Sequence, residues 1–164
     1  MAEQNNKGNE QDLNKLKMVR REKLADLQAA GKDPMNREVY VTGKNGKTQC
    51  LTDREGWNSG TFSKNFKYFI NVWSDRNTPY EYSTYGGNGK RIAVVNDNAE
   101  LKSRLKEYDL PTKEFFTFKT SEGVTLNGVM VKPHDFDPGK KYPVIMWQYS
   151  GPGSQQVTNS WSLG

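Results

Sequence analysis

One stretch limits the possible folds more than any other: Pro143-Val144-Ile145-Met146-Trp147-Gln148-Tyr149. It carries no charge, is too short for a typical helix, and is closed by Ser150-Gly151-Pro152-Gly153. A strand with one wet face alternates apolar and polar residues, whereas a continuous apolar run marks a strand covered on both faces. Such a strand needs neighbours at its edges and helices over its faces. Only eleven residues follow Gly153 in the 164-residue sequence, too few to supply them. The expectation is a mixed α/β chain that breaks off inside the sheet of a larger α/β domain.

Further upstream the pattern changes character near residue 35. Residues 1–11 are rich in Asn, Gln, Glu and Gly and have little to bury, so they read as a disordered tail. Residues 12–35 read as an amphipathic helix. Asp12 is placed to cap it, and Gly31 and Pro34 to stop it. At about 100° per residue, Leu13, Leu16, Leu24 and Leu27 share one stripe. Arg20 lies in the same stripe, which suits a helix resting on a surface with its guanidinium snorkelling outward.

Beyond Pro34 the helical period gives way to strand alternation. Arg37–Val41 and Thr48–Thr52 flank the turn Gly43-Lys44-Asn45-Gly46-Lys47. Phe66–Ser74 and Tyr80–Tyr85 are aromatic-rich strands, and Gly86-Gly87-Asn88-Gly89 leads into Arg91–Val95. These strands form one antiparallel blade or a small meander, too few to close a sandwich or barrel. Asn98–Tyr108 reads as a short helix with Asp97 or Asn98 at its cap. Lys113–Lys119 and Val124–Val131 then face each other across Ser121-Glu122-Gly123.

Charge and composition remove several function classes. Lys and Arg total 24 against 19 Asp and Glu, a net charge of +5. The excess is thin and scattered, whereas phosphate-binding surfaces concentrate theirs, so tRNA is not an expected partner. A single cysteine, Cys50, leaves no internal disulfide or multi-cysteine zinc site, and His134 is the only histidine. No cofactor is expected. No run approaches the ~18 apolar residues of a membrane-spanning helix. The polar start, MAEQNNKGNEQDLNK, has no apolar core of a secretory signal.

From about Arg37 to Gly164 the sequence resembles dipeptidyl peptidase IV-type serine peptidases of the prolyl oligopeptidase clan. The segments that carry the resemblance are CLTDREGWNSGTFSKNFKYFI, NTPYEY, DNAELKSRLKEYDLPTKEFFTF, EGVTLNGVMVKP, FDPGKKYPV and QYSGPGSQQVTNSWS. The family joins a β-propeller to an α/β-hydrolase domain. The resemblance therefore implies that residues 37–96 are the end of a propeller and residues 97–164 the start of the peptidase domain. It also implies a catalytic role for Tyr149, as the oxyanion-hole donor in Tyr149-Ser150-Gly151-Pro152. Read on its own, a tyrosine at a strand end is equally a local hydrogen-bonding cap.

The remaining parts of the reaction centre do not occur in this sequence. The fold's nucleophile sits in G-x-S-x-G, followed in order by the acid and the base. Neither Ser150-Gly151-Pro152-Gly153 nor Gly153-Ser154-Gln155-Gln156 fits that motif. His134 precedes Tyr149 and reads as a surface residue, and the family's substrate-binding pair of glutamates is not present. The expected function is thus that of a partial serine dipeptidyl peptidase, silent alone. The parent enzyme's substrates would be peptides with N-terminal Xaa-Pro.

Residues 12–35, LNKLKMVRREKLADLQAAGKDP at their centre, are similar to the N-terminal helix of bacterial lysyl-tRNA synthetases. This supplies an alternative, a nucleic-acid-associated module in which Tyr68, Tyr80, Tyr82 and Tyr85 would offer a stacking platform. A third possibility is an interaction protein that uses Trp57, Trp73, Trp147 and Trp161 as exposed aromatics. The uncharged run Pro143–Tyr149 also suggests self-association by edge pairing. The peptidase family works outside the cytoplasm, whereas the start of this sequence favours the cytoplasm.

Overall fold

The computed structural model describes residues 35–149, 154 and 156–162, together with six positions before them. The chain divides into two compact units, Met1–Pro34 and Met35–Gly164. In the first, Lys15, Met18, Val19, Glu22, Asp26 and Ala29 are helical and exposed. The leucine stripe with Arg20, and residues 1–11, lie outside the described residues.

The second unit is built on an antiparallel sheet. Its first two strands, β1 (Tyr40–Thr42) and β2 (Thr48–Cys50), form a hairpin. Four more follow as a meander: β3 (Trp57–Phe62), β4 (Tyr68–Ser74), β5 (Glu81–Gly86) and β6 (Arg91–Asn96), hydrogen-bonded in the order β3-β4-β5-β6. A helix, Ala99–Leu105, leads to a separate hairpin of β7 (Lys113–Lys119) and β8 (Thr125–Val131). This is a blade-like, mostly antiparallel arrangement with one short helix in the second unit.

Register explains where the core sits. Phe62, Phe69 and Tyr85 lie opposite one another on β3, β4 and β5. Their rings stack at centroid distances of 4.8 Å and 5.1 Å. Leu51, just past β2, joins Phe69 and Tyr85 as the buried cluster, with Val39, Val41 and Phe62 packed against it. The first hairpin is thereby laid against the larger sheet, and Leu51 N donates to Val39 O at 2.7 Å. Gly60 permits this approach, because a Cβ there would lie 3.1 Å from Val39 and 3.3 Å from Phe69.

Three hairpins reuse one turn chemistry. Gly46, Gly89 and Gly123 have φ of 76°, 84° and 77°, and each amide donates to the carbonyl three residues earlier. That left-handed position favours glycine, which has no Cβ to clash. All three turns fall where the glycine-containing loops place them.

The structure adds one strand and changes two expectations. Trp57–Phe62 is a full strand, the first of the meander, although its text lacks strand alternation. Its buried position is Asn58, whose amide side chain is satisfied by hydrogen bonds instead of apolar contact. Asn98 does stand at the start of the helix, but with φ 53° and no side-chain capping bond. Asp97 supplies the local bond, accepting from Ala99 N at 3.1 Å. Finally, Pro143–Tyr149 is not a strand here. A strand exists only with a ladder partner, and no described residue pairs with this run.

Candidate functional site

The run that ends in Tyr149 is laid open to solvent. Ile145 is 98% exposed, Val144 86%, Trp147 81% and Tyr149 63%. The Ser150-Gly151-Pro152 part of the motif lies outside the described residues. His134 is exposed as well, its Nε2 standing 3.6 Å from Asp109 Oδ2. This is a surface pairing, and it keeps the only imidazole in a loop before the apolar run.

Downstream of Tyr149 the chain is anchored again. Asn159 N donates to Met35 O at 2.8 Å, and Asn159 Nδ2 donates to Asn36 Oδ1 at 2.8 Å. Asn159 Oδ1 accepts from Arg76 N at 3.0 Å. Trp161 N donates to Oγ of the fully buried Ser74 at 3.2 Å, and Trp161 O accepts from the Tyr80 hydroxyl. Lys113 Nζ donates to Ser162 O and Oγ at 2.6 Å and 2.7 Å. Burial lowers the Lys113 pKa below the usual lysine range. Residues 157–162 thus form a strap across the β4–β5 end of the sheet and the start of β7.

A second set of contacts joins the same end of the sheet to the helix and to β7. Asn77 and Lys113 exchange two hydrogen bonds, and the Arg76 guanidinium lies 3.9 Å over the Phe115 ring. Glu81 receives Arg54 and Lys102, which ties the Ala99–Leu105 helix to β5. Burial pushes the Glu81 carboxyl up, but the hydrogen bonds and charges of Lys102 and Arg54 outweigh it and hold the pKa below the usual carboxylate value. Arg54 also stacks 3.3 Å over Trp73, whose Nε1 donates to Glu55 O at 2.8 Å.

These contacts decide the aromatic alternatives. Of the four tryptophans, Trp73 is buried, Trp57 and Trp161 are half-buried, and only Trp147 is freely exposed. The tyrosines do not form a common platform: Tyr68 and Tyr80 are exposed, Tyr82 is half-buried, and Tyr85 is inside the core. Burial raises the pKa of Tyr85 above the usual tyrosine value, with the charge of Asp53 adding to the effect. Among the described residues no group of three His, Cys, Asp or Glu side chains could hold a metal. No helix among them is long and apolar enough to cross a membrane.

Sequence reasoning missed the strap. Asn159, Ser74, Asn36 and Arg76 sit in loops or at strand ends, where neither a helical nor a strand period draws attention. The only available signal is local: an Asn-Ser-Trp-Ser stretch of hydrogen-bonding residues around a large aromatic.

A blade-like meander followed by a separate hairpin would be expected of a propeller-bearing peptidase, and comparison with known proteins points the same way. The model for the dipeptidyl peptidase IV (DPP IV) N-terminal region matches residues 7–80. The chain is similar to dipeptidyl peptidase 4 of Trichophyton rubrum, 34% identical over 152 residues, covering 90% of this chain and 20% of the relative. It is also similar to a probable dipeptidyl peptidase 4 of Aspergillus flavus, 35% identical over 103 residues, covering 63% of this chain and 13% of that one. Among solved structures, Porphyromonas gingivalis dipeptidyl peptidase 4 matches with a TM-score of 0.74 and 41% identity, over 79% of this chain and 19% of the other. A putative dipeptidyl aminopeptidase IV from Bacteroides ovatus matches with a TM-score of 0.61 and 34% identity, over 72% of this chain and 17% of the other.

These matches support a dipeptidyl peptidase IV-type stretch of chain, which spans about a fifth or less of the length of the relatives it matches. The family match takes in residues 12–35 together with β1 to β4. A synthetase-related module draws no support from these matches.

Proposed function

We propose that this chain is part of a serine dipeptidyl peptidase that releases Xaa-Pro dipeptides from peptide N-termini. In this reading residues 37–96 are the end of the propeller and residues 97–164 the start of the α/β-hydrolase domain. Tyr149 is the element of the reaction centre that this stretch contributes. One observation carries the reading: similarity to dipeptidyl peptidase 4 proteins runs along 90% of the chain while covering only 20% of the relative.

The chemistry assigned to Tyr149 is electrostatic. Attack on a scissile carbonyl places negative charge on its oxygen, and a phenol hydroxyl aimed there stabilises that charge in the transition state. Removal of one such donor typically raises the barrier by roughly 3–4 kcal/mol. The nucleophile, acid and base lie outside this sequence, since it has no G-x-S-x-G and no histidine after Tyr149. The 164-residue polypeptide is therefore inactive by itself.

Two assays test the reading. The isolated polypeptide, given an Xaa-Pro-p-nitroanilide, is expected to show no turnover above buffer. Turnover that titrates stoichiometrically with a serine-directed phosphonate would refute its inactivity. In the full-length peptidase, Tyr149→Phe is expected to lower kcat about 100- to 1000-fold with KM nearly unchanged. An unchanged kcat would remove Tyr149 from the reaction centre.

A further inference from the structure

We propose that Asn159 is a positioning residue for Tyr149, acting through the strap that fastens residues 157–162 to the end of the blade. The inference rests on the peptidase reading of Tyr149 and adds to it a residue that holds the donor in place.

The need for such a residue comes from the geometry. An oxyanion donor is useful only if its hydroxyl is held close to the developing charge, and small displacements are costly. Tyr149 lies at the end of a run that has no ladder partner among the described residues, and its side chain is largely exposed. Ten positions later, Asn159 is held by three groups from two distant parts of the fold: Met35 O and Asn36 Oδ1 from one, and Arg76 N from the other. Those partners lie 83 to 124 positions away in sequence, counting Met35 against Asn159 as the longest span.

The chemistry of the side chain is specific. Asn159 uses its carboxamide as acceptor and donor at once, with Oδ1 taking the Arg76 amide and Nδ2 giving to Asn36. Alanine can do neither. Aspartate keeps the acceptor but cannot donate to Asn36 Oδ1. The neighbouring bond from Trp161 N to buried Ser74 Oγ secures the strap at a second point.

The test is a double-mutant cycle in the full-length peptidase, read as kcat and KM on an Xaa-Pro-p-nitroanilide, with melting temperature measured alongside. Asn159→Ala is expected to lower kcat roughly 10- to 100-fold and leave KM nearly unchanged. In a Tyr149→Phe background the same substitution is expected to cause no further loss, because the group it positions is already gone. An unchanged kcat in Asn159→Ala, or a loss that multiplies with that of Tyr149→Phe, overturns the positioning role while leaving the reading of Tyr149 intact. If Tyr149→Phe itself has full activity, the peptidase reading of this site fails and the positioning role falls with it. Should Asn159→Ala not fold, Ser74→Ala loosens the strap at its other bond. It is expected to lower kcat in the same direction, again only when Tyr149 is present, and an additive or absent effect overturns the proposal.

Discussion

Asn58 and Asn71 offer the sharpest test of how the meander is held together. Asn58 is 1% exposed and Asn71 2%, the first near the start of β3 and the second in the middle of β4. Asn58 Nδ2 donates to Arg37 O at 2.9 Å and Arg54 O at 3.0 Å, and its Oδ1 accepts from Asn71 Nδ2 at 2.8 Å. Asn58→Ala leaves Arg37 O supplied, because the Asn58 backbone amide also donates to it. It strands two groups: the buried Asn71 Nδ2 and the part-buried Arg54 carbonyl. A stranded buried polar group costs about 1–3 kcal/mol, so the sum is about 2–4 kcal/mol, with the carbonyl taken at the low end. Adding Asn71→Ala removes one of the stranded groups. The double variant should therefore be more stable than the sum of the singles implies, by about 1–2 kcal/mol. Urea unfolding followed by tryptophan fluorescence measures each step. With a slope of about 2 kcal/mol/M, the single variant moves the midpoint by about 1–2 M. Additive effects, or a loss for Asn58→Ala below about 0.5 kcal/mol, would show that the pair does not fasten β3 to β4 from within.

Other perturbations read different parts of the unit. Phe69→Ala removes the ring shared by both stacks of a small core and is expected to destabilise by about 3–5 kcal/mol, measured by thermal unfolding; a change under about 1 kcal/mol would contradict that core. Glu81 contributes stability above the unfolded carboxyl pKa, and that contribution is lost as pH falls through its lower folded value. Urea midpoints measured from pH 7 down to pH 3 should therefore fall more steeply in the parent than in Glu81→Gln, and parallel profiles would refute the ion cluster's role. Ile145→Lys is expected to raise the monomer fraction in sedimentation velocity without lowering the melting temperature, since Ile145 is 98% exposed. Unfolding without a change in association would mean that other residues already bury the run.

The legible elements are those whose buried side is apolar or whose turns demand glycine. Phe66–Ser74 announces β4 because Phe69 and Trp73 face the core, and Gly46, Gly89 and Gly123 mark their turns by the backbone they permit. β3 is hidden for the opposite reason. Its inward positions are Asn58, Gly60 and Phe62, a polar residue, an absent side chain and a single ring. What stabilises it is hydrogen bonding to Arg37, Arg54 and Asn71, and those partners are 4 to 21 positions away. A strand period cannot report them.

The same physics separates Tyr149 from the strap beyond it. Tyr149 stands out through a short motif, because the donor role proposed for it would place chemistry at one residue and its local sequence would carry the mark. Asn159 works by joining Asn36, Met35 and Arg76, so the residues beside it in the sequence do not reveal its partners. The run Pro143–Tyr149 shows the converse. Its sequence states an environment, two covered faces and two paired edges, that no described residue provides, and its side chains stand in solvent accordingly. Burial of a large apolar side chain is worth roughly 1.5–3 kcal/mol, so Val144, Ile145, Met146 and Trp147 together hold a stabilisation comparable to that of a whole small domain. Elements that cover this run would supply it, and the strap would then set where the end of the covered strand, and Tyr149 with it, meets the blade.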